Sequence, residues 1–147
     1  MSVEANKTTV RRWIAAFNQR NVAILDEFIA PDFVYHTRRQ RGLDSLKKSY
    51  AMLYRGFPDI HATIEDIIAE GDKVWVLVKV MGTHTGEYFG LSPTGKKFTI
   101  TSVDIRRIID GKIVEGWDAE DVLDFYKQLD VIEYTARARE LFPEDVI

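Results

Sequence analysis

Val103-Asp104-Ile105-Arg106-Arg107-Ile108-Ile109-Asp110-Gly111-Lys112-Ile113-Val114-Glu115-Gly116-Trp117-Asp118 consists of two β-forming runs joined at Asp-Gly, the signature of a β-hairpin. Its arms carry acidic residues at Asp104 and Asp118. Strand side chains alternate between the two faces of a sheet, so the length of the turn decides whether these acids share a face. With a two-residue turn, Asp110-Gly111, Ile109 opposes Lys112, Asp104 opposes Trp117, and the aspartates face opposite sides. With a three-residue loop, Ile109-Asp110-Gly111, and Gly111 left-handed in a bulge, Ile108 opposes Lys112. Asp104 then opposes Gly116 and Asp118 opposes Ser102, one pleat apart on one face. The second register is preferred, because it places Arg107 on the outer face with Glu115 as a near-diagonal partner and brings both carboxylates towards one cavity. Two desolvated acids raise one another's pKa, which suits proton transfer near neutral pH. The competing reading is two solvated charges at strand ends.

Far upstream of the hairpin the hydrophobic period is longer, that of a helix. Val10, Trp13, Ile14 and Phe17 have the spacing of one helical face. Asn21 caps a second short helix with Val22, Leu25, Phe28 and Ile29 inward. Phe33 to His36 reads as a strand. A third helix begins near Asp44 or Ser45, buries Leu46, Tyr50, Leu53, Tyr54 and Phe57, and stops at Pro58-Asp59. Ile60, Ala62 and Ile64 then alternate with polar residues, Val74 to Val80 is an apolar strand, and Phe98 to Ile109 is a long one. The segment from Val122 to Leu141 reads as helical, with Asp121 as its cap. Helices first and strands afterwards imply segregated layers, hence an α+β fold in one domain, 1–147, with a helical extension over 128–147. Three helices against one face of a long curved sheet leave a concave cavity, the usual setting for a small-molecule ligand.

Composition narrows the function classes. The 147 residues are 46% hydrophobic and 29% charged, with a net charge of −3, which gives no electrostatic footprint for nucleic acid or an anionic membrane. The absence of cysteine excludes disulfides, thiol nucleophiles and zinc–thiolate sites. Residues 1–7 carry no apolar signal core, and no run approaches the ~20 apolar residues of a membrane span, so a cytoplasmic protein is expected. The three histidines are scattered over different strands, a weak metal pattern. By alternation His36 and His84 are candidates to face the cavity and exchange protons with a polar ligand; the plainer reading is a histidine hydrogen-bonded at a sheet edge. His61 is a weaker candidate. Phe17, Tyr35, Tyr50, Phe89 and Trp117 are candidate ligand contacts, although Tyr35 and Trp117 read equally as packing residues. Arg38, Arg39 and Arg41 read as a solvated loop, or as a lid that attracts an anionic substrate.

The stretches Gly82-Thr83-His84-Thr85-Gly86, Gly90-Leu91-Ser92-Pro93-Thr94-Gly95-Lys96 and the hairpin itself, with Phe57-Pro58-Asp59 and Gln128-Leu129, resemble the SnoaL-like polyketide cyclases. The resemblance implies the nuclear transport factor 2-like fold, a cone-shaped curved antiparallel sheet with three N-terminal helices over its concave face, usually as a homodimer. It also implies an intramolecular aldol ring closure without metal or cofactor, with an aspartate of the final strand, Asp118 here, as acid/base. The companion polar position, often histidine in these cyclases, falls on Asp104, and the histidine often found two residues before the acid is replaced by Gly116. On this reading Asp118 and Asp104 move the proton while His36 and His84 stabilise an enolate. The alternatives are a small-molecule binding protein without chemistry, or a hydrolase or dehydratase on the same fold.

Overall fold

A computed structural model describes residues 2–141. Helix α1 (Val3–Asn18) starts at Ser2, whose hydroxyl accepts from the Ala5 amide at 3.1 Å. It buries Val10 and Trp13, as their helical spacing predicts. The second helical segment (Val22–Glu27) is 3-10 rather than α, and Asn21 makes no side-chain cap. Strand β1 (Ile29–Tyr35) turns through residues 36–39 into the two-residue β2 (Gln40–Arg41), which the sequence pattern was too short to show. Helix α2 (Leu43–Gly56) then packs on β1. Strands β3 (His61–Glu70), β4 (Lys73–Thr83), β5 (Lys97–Ile109) and β6 (Lys112–Glu120) follow as a meander.

The six strands form one sheet in the order β2-β1-β6-β5-β4-β3. Every pair is antiparallel except β1–β6, which is parallel and sets Tyr35 beside Gly116. This is a departure from the all-antiparallel sheet expected. The reason is topological: β1 arrives from the helical layer rather than through a hairpin. Val74, Val76 and Val78 of β4 and Phe98, Ile100 and Ser102 of β5 all face inward, a strict two-residue period. The helices cover this inner face.

Beyond β6, α3 (Val122–Gln128) is capped by Asp121, whose carboxylate accepts from the Asp124 amide at 2.9 Å. The helix does not run on to Leu141. Asp130 takes a left-handed φ of 60° and a separate α4 (Ala136–Leu141) follows. The part of the expected extension over 142–147 lies outside the described residues. Among the described residues no helix is long and apolar enough to cross a membrane.

The hairpin corrects the expected register. Ile109 pairs with Lys112, and Asp110 and Gly111 have φ of 49° and 77°, a two-residue turn with both residues left-handed. Next, Ile108 pairs with Ile113 but Arg107 pairs with Glu115, so Val114 is an extra residue on β6, a β-bulge. The bulge shifts everything beyond it by one. Asp104 lies directly opposite Asp118. The aspartates therefore share a face despite the two-residue turn.

The loop after β4 is anchored on the end of α2, where the amides of Thr85 and Gly86 both donate to the Gly56 carbonyl, at 3.2 and 3.1 Å. A Cβ on Gly86 would sit 1.9 Å from the Arg55 carbonyl oxygen, which is backbone and cannot swing away. Gly86→Ala is expected to lower stability by about 1–3 kcal/mol or more. The measurement is the urea midpoint, which should fall with an unchanged m-value.

Candidate active site

A cavity of about 340 Å³ lies between the sheet and the helices, within the usual range of small-molecule sites. Its walls are apolar, drawn from Phe17, Leu53, Val76, Val78 and Ile100. At one end β1, β5 and β6 contribute a polar cluster: Tyr35, Ser102, Asp104, Arg106, Asp118 and Glu120. Alternation along β5 and the Val114 bulge on β6 bring these side chains to one face.

Each aspartate has a guanidinium of its own. Asp104 accepts from the Ser102 hydroxyl at 2.6 Å and stands 3.4 Å from Arg106 Nη2. Asp118 Oδ2 accepts from the Tyr35 hydroxyl at 3.1 Å and from Arg38 Nη2 at 3.0 Å. Its other oxygen, Oδ1, is buried with no hydrogen-bond partner. Two carboxylates directly opposite one another repel. Here two cations offset that repulsion, and the arrangement leaves one lone-pair oxygen of Asp118 unused.

Arg106 organises the cluster, and no reading of the sequence singled it out. Its Nη1 donates to the carbonyls of Ile105 and Trp117 at 2.9 and 2.8 Å, and Nη2 to the Tyr35 hydroxyl at 3.3 Å. The guanidinium lies 4.3 Å from the centre of the Trp13 ring, a cation–π contact away from water. Its parity was the available signal, since Arg106 falls on the same alternation as Ile100, Ser102 and Asp104. Gly116 makes the space: a Cβ there would meet the Phe33 ring at 2.9 Å and Arg106 Nη1 at 3.1 Å. The missing side chain at 116 and the buried arginine at 106 are thus one structural feature.

Burial sets the phenols. Desolvation pushes the Tyr35 hydroxyl up to about 12, against the lowering influence of Arg106. Desolvation also raises Tyr50 well above the ordinary phenol range, and its oxygen accepts from Trp13 Nε1 at 2.6 Å. Both remain neutral hydrogen-bonding groups at physiological pH. Glu120 is raised by desolvation, with Arg38 opposing the shift.

The structure gathers some expected residues and disperses others. Asp104, Asp118, Tyr35, Phe17, Tyr50 and Phe89 line the cavity. Phe89 does so from an exposed loop tip, where its φ of 47° and that of Gly90 at 81° turn the chain. His36 and Trp117 lie on the opposite face of the sheet, stacked with ring centres 4.6 Å apart, and His36 Nε2 is 2.6 Å from Glu115. Arg107 joins Glu115 there at 2.6 Å. His84 faces inward but beyond the cavity, fully buried against Phe57, with the Thr94 amide donating to Nδ1 at 3.3 Å. Neither histidine touches the space beside Asp118. Arg38, read from sequence as loop or lid, is instead an ion-pair partner of the central carboxylate.

Residues 7–129 match the family model described as SnoaL-like polyketide cyclase. Among curated proteins, aklanonic acid methyl ester cyclase DauD from Streptomyces sp. (strain C5) is 33% identical over 127 residues, covering 82% of this chain and 78% of its own. Nogalonic acid methyl ester cyclase from Streptomyces nogalater is 30% identical over 121 residues, covering 79% and 90% respectively. Among solved structures, wild-type IdmH from Streptomyces antibioticus superimposes with a TM-score of 0.74 at 32% identity, over 86% of this chain and 99% of that one. AclR from Streptomyces galilaeus, provisionally described as a hydroxylase, gives 0.82 at 25% identity, over 99% and 97%. The curved six-stranded sheet, the helical layer and the span of these matches agree: this chain belongs to the SnoaL-like polyketide cyclase family.

Proposed function

We propose that this chain is a cyclase that closes a ring in a polyketide ester by an intramolecular aldol reaction, with Asp118 as the acid/base and no cofactor. The observation that carries this reading is the buried, unpartnered Oδ1 of Asp118, a residue that lines the apolar cavity. Tyr35 and Arg38 hold Oδ2, so the free oxygen is oriented rather than swinging. A carbon acid placed against it loses its α-proton to Asp118. The resulting enolate carbon attacks a carbonyl of the same molecule, a carbon–carbon bond forms, and the alkoxide recovers the proton from Asp118. The proton leaves and returns, so the balance needs neither oxidant nor reductant. General acid–base help of this kind contributes about 10²–10⁴ in rate. Asp104, bonded to Ser102 and beside Arg106, is the fixed charge that keeps Arg106 and hence Tyr35 in place.

The test uses aklanonic acid methyl ester as the probe, in deuterated water. A cyclase returns a product isomeric with the probe, and where proton transfer reverses before ring closure the recovered probe carries deuterium at the carbon α to its carbonyl. A product heavier or lighter by one water would mean hydrolysis or dehydration. Binding with neither product nor exchange would favour a carrier, and would sink this reading for that substrate.

A further inference from the structure

We propose that Arg38 is a catalytic residue that takes over the charge of the enolate at the moment Asp118 accepts the proton. The inference rests on the cyclase reading and supplies its missing electrophile, since His36 and His84 lie away from the cavity. Among the described residues only two cationic side chains line the cavity, Arg38 and Arg106. Arg106 is committed: four hydrogen-bonding and ionic contacts use both its Nη atoms, and Trp13 covers its face. Arg38 differs. Its Nη2 reaches both Asp118 Oδ2 at 3.0 Å and Glu120 Oε1 at 2.5 Å, whereas its Nη1 and Nε make no hydrogen bond among the described residues. Its side chain is 43% exposed at the cavity wall, against 4% for Asp118.

The turn carrying Arg38 is pinned to the strand carrying Asp118, because the Asp118 amide donates to Thr37 Oγ1 at 2.9 Å. The guanidinium is thus held near the reacting carboxylate by backbone rather than by the ion pair alone. Before reaction its partner is the Asp118 carboxylate. Proton transfer from the substrate carbon to Oδ1 makes Asp118 neutral and moves the negative charge to the substrate oxygen. The breaking C–H bond leaves its electron pair in the enolate, and the number of charges in the site is unchanged. Arg38, with its spare N–H groups, then faces an anion on the substrate instead of one on the protein. A cation already in place for developing charge stabilises it without reorganisation. Glu120 engages only Nη2 of Arg38, which leaves Nη1 and Nε to face the substrate oxygen.

Asp118→Asn imitates the state after proton transfer, with a neutral side chain of the same shape. The probe is 4-nitrophenol, whose yellow phenolate stands for the enolate. Binding to Asp118→Asn should lower the probe's apparent pKa by about one unit or more, a tenfold preference for the anion. Asp118→Asn combined with Arg38→Met should abolish that shift. Equal phenolate affinity in the single and double variants would overturn the proposal. In the otherwise unaltered protein, Arg38→Met should lower kcat for aklanonic acid methyl ester by about 10²–10³ at every pH, with a smaller effect on KM, and Arg38→Lys should restore part of it. If Arg38 merely restrained Asp118, its loss would move the pH profile and leave the alkaline plateau of kcat unchanged, which would also overturn the proposal. The phenolate measurement requires no turnover. A wild-type protein that neither exchanges nor cyclises the ester would therefore sink the cyclase reading while still deciding whether Arg38 binds an oxyanion.

Discussion

Asp118→Asn is expected to lower kcat by about 10²–10⁴ while leaving the protein folded. The substitution keeps the planar shape and an acceptor oxygen for the Tyr35 hydroxyl, so the contact at 3.1 Å persists. It removes the buried carboxylate oxygen that has no other partner. Arg38 retains Glu120 as an ionic partner, so no guanidinium is stranded. The loss should therefore fall on chemistry rather than on stability. Deuterium exchange into the substrate carbon should vanish together with ring closure, because both begin with the same proton transfer. The thermal midpoint should stay within a few degrees. Full turnover in the variant would remove Asp118 from the mechanism.

Arg106→Leu is expected to destabilise the fold by about 3–5 kcal/mol, the cost of breaking a buried ion pair by removing one partner. Leucine leaves Asp104 without its cation and the carbonyls of Ile105 and Trp117 without the donors at 2.9 and 2.8 Å. Tyr35 also loses the donor that fixes its hydroxyl against Asp118. Set against the ~5–15 kcal/mol of a typical domain, this loss is large. Arg106→Lys should recover only part of it, because an ammonium reproduces neither the planar fork to two carbonyls nor the stacking on Trp13. Urea denaturation of the three proteins measures both effects. A midpoint for Arg106→Leu equal to that of the wild type would show that the buried pair adds nothing to stability.

These two residues were unequally visible beforehand. Asp118 stood out through its place in the hairpin and the family resemblance. Arg106 did not, because an arginine in a strand ordinarily reads as solvent-facing, and its neighbour Arg107 is of that kind, bonded to Asp72 and Glu115 on the outer face. Both histidines were misplaced for a related reason. Alternation assigns a face, but His36 alternates onto the convex side with Trp117, and His84 lies past the cavity although it faces inward. Arg38 sits in a turn, where periodicity carries no information.

The sequence by itself determined the order of helices and strands, the α+β class, the inward faces of the long strands and the place of the final hairpin, though not the length of its turn. Each is set by local preferences or by a period of two or 3.6 residues, which neighbouring residues carry. Only the tertiary structure decided the parallel seat of β1 on β6, the bulge at Val114 and the pairing of each carboxylate with its arginine. A bulge costs little locally and is chosen by what packs on either side of it. Ile113 had to point into the core, and so did Gly116, three positions on, to admit Phe33 and Arg106. One extra residue between them satisfies both. That same residue turns Asp118 inward to face Asp104.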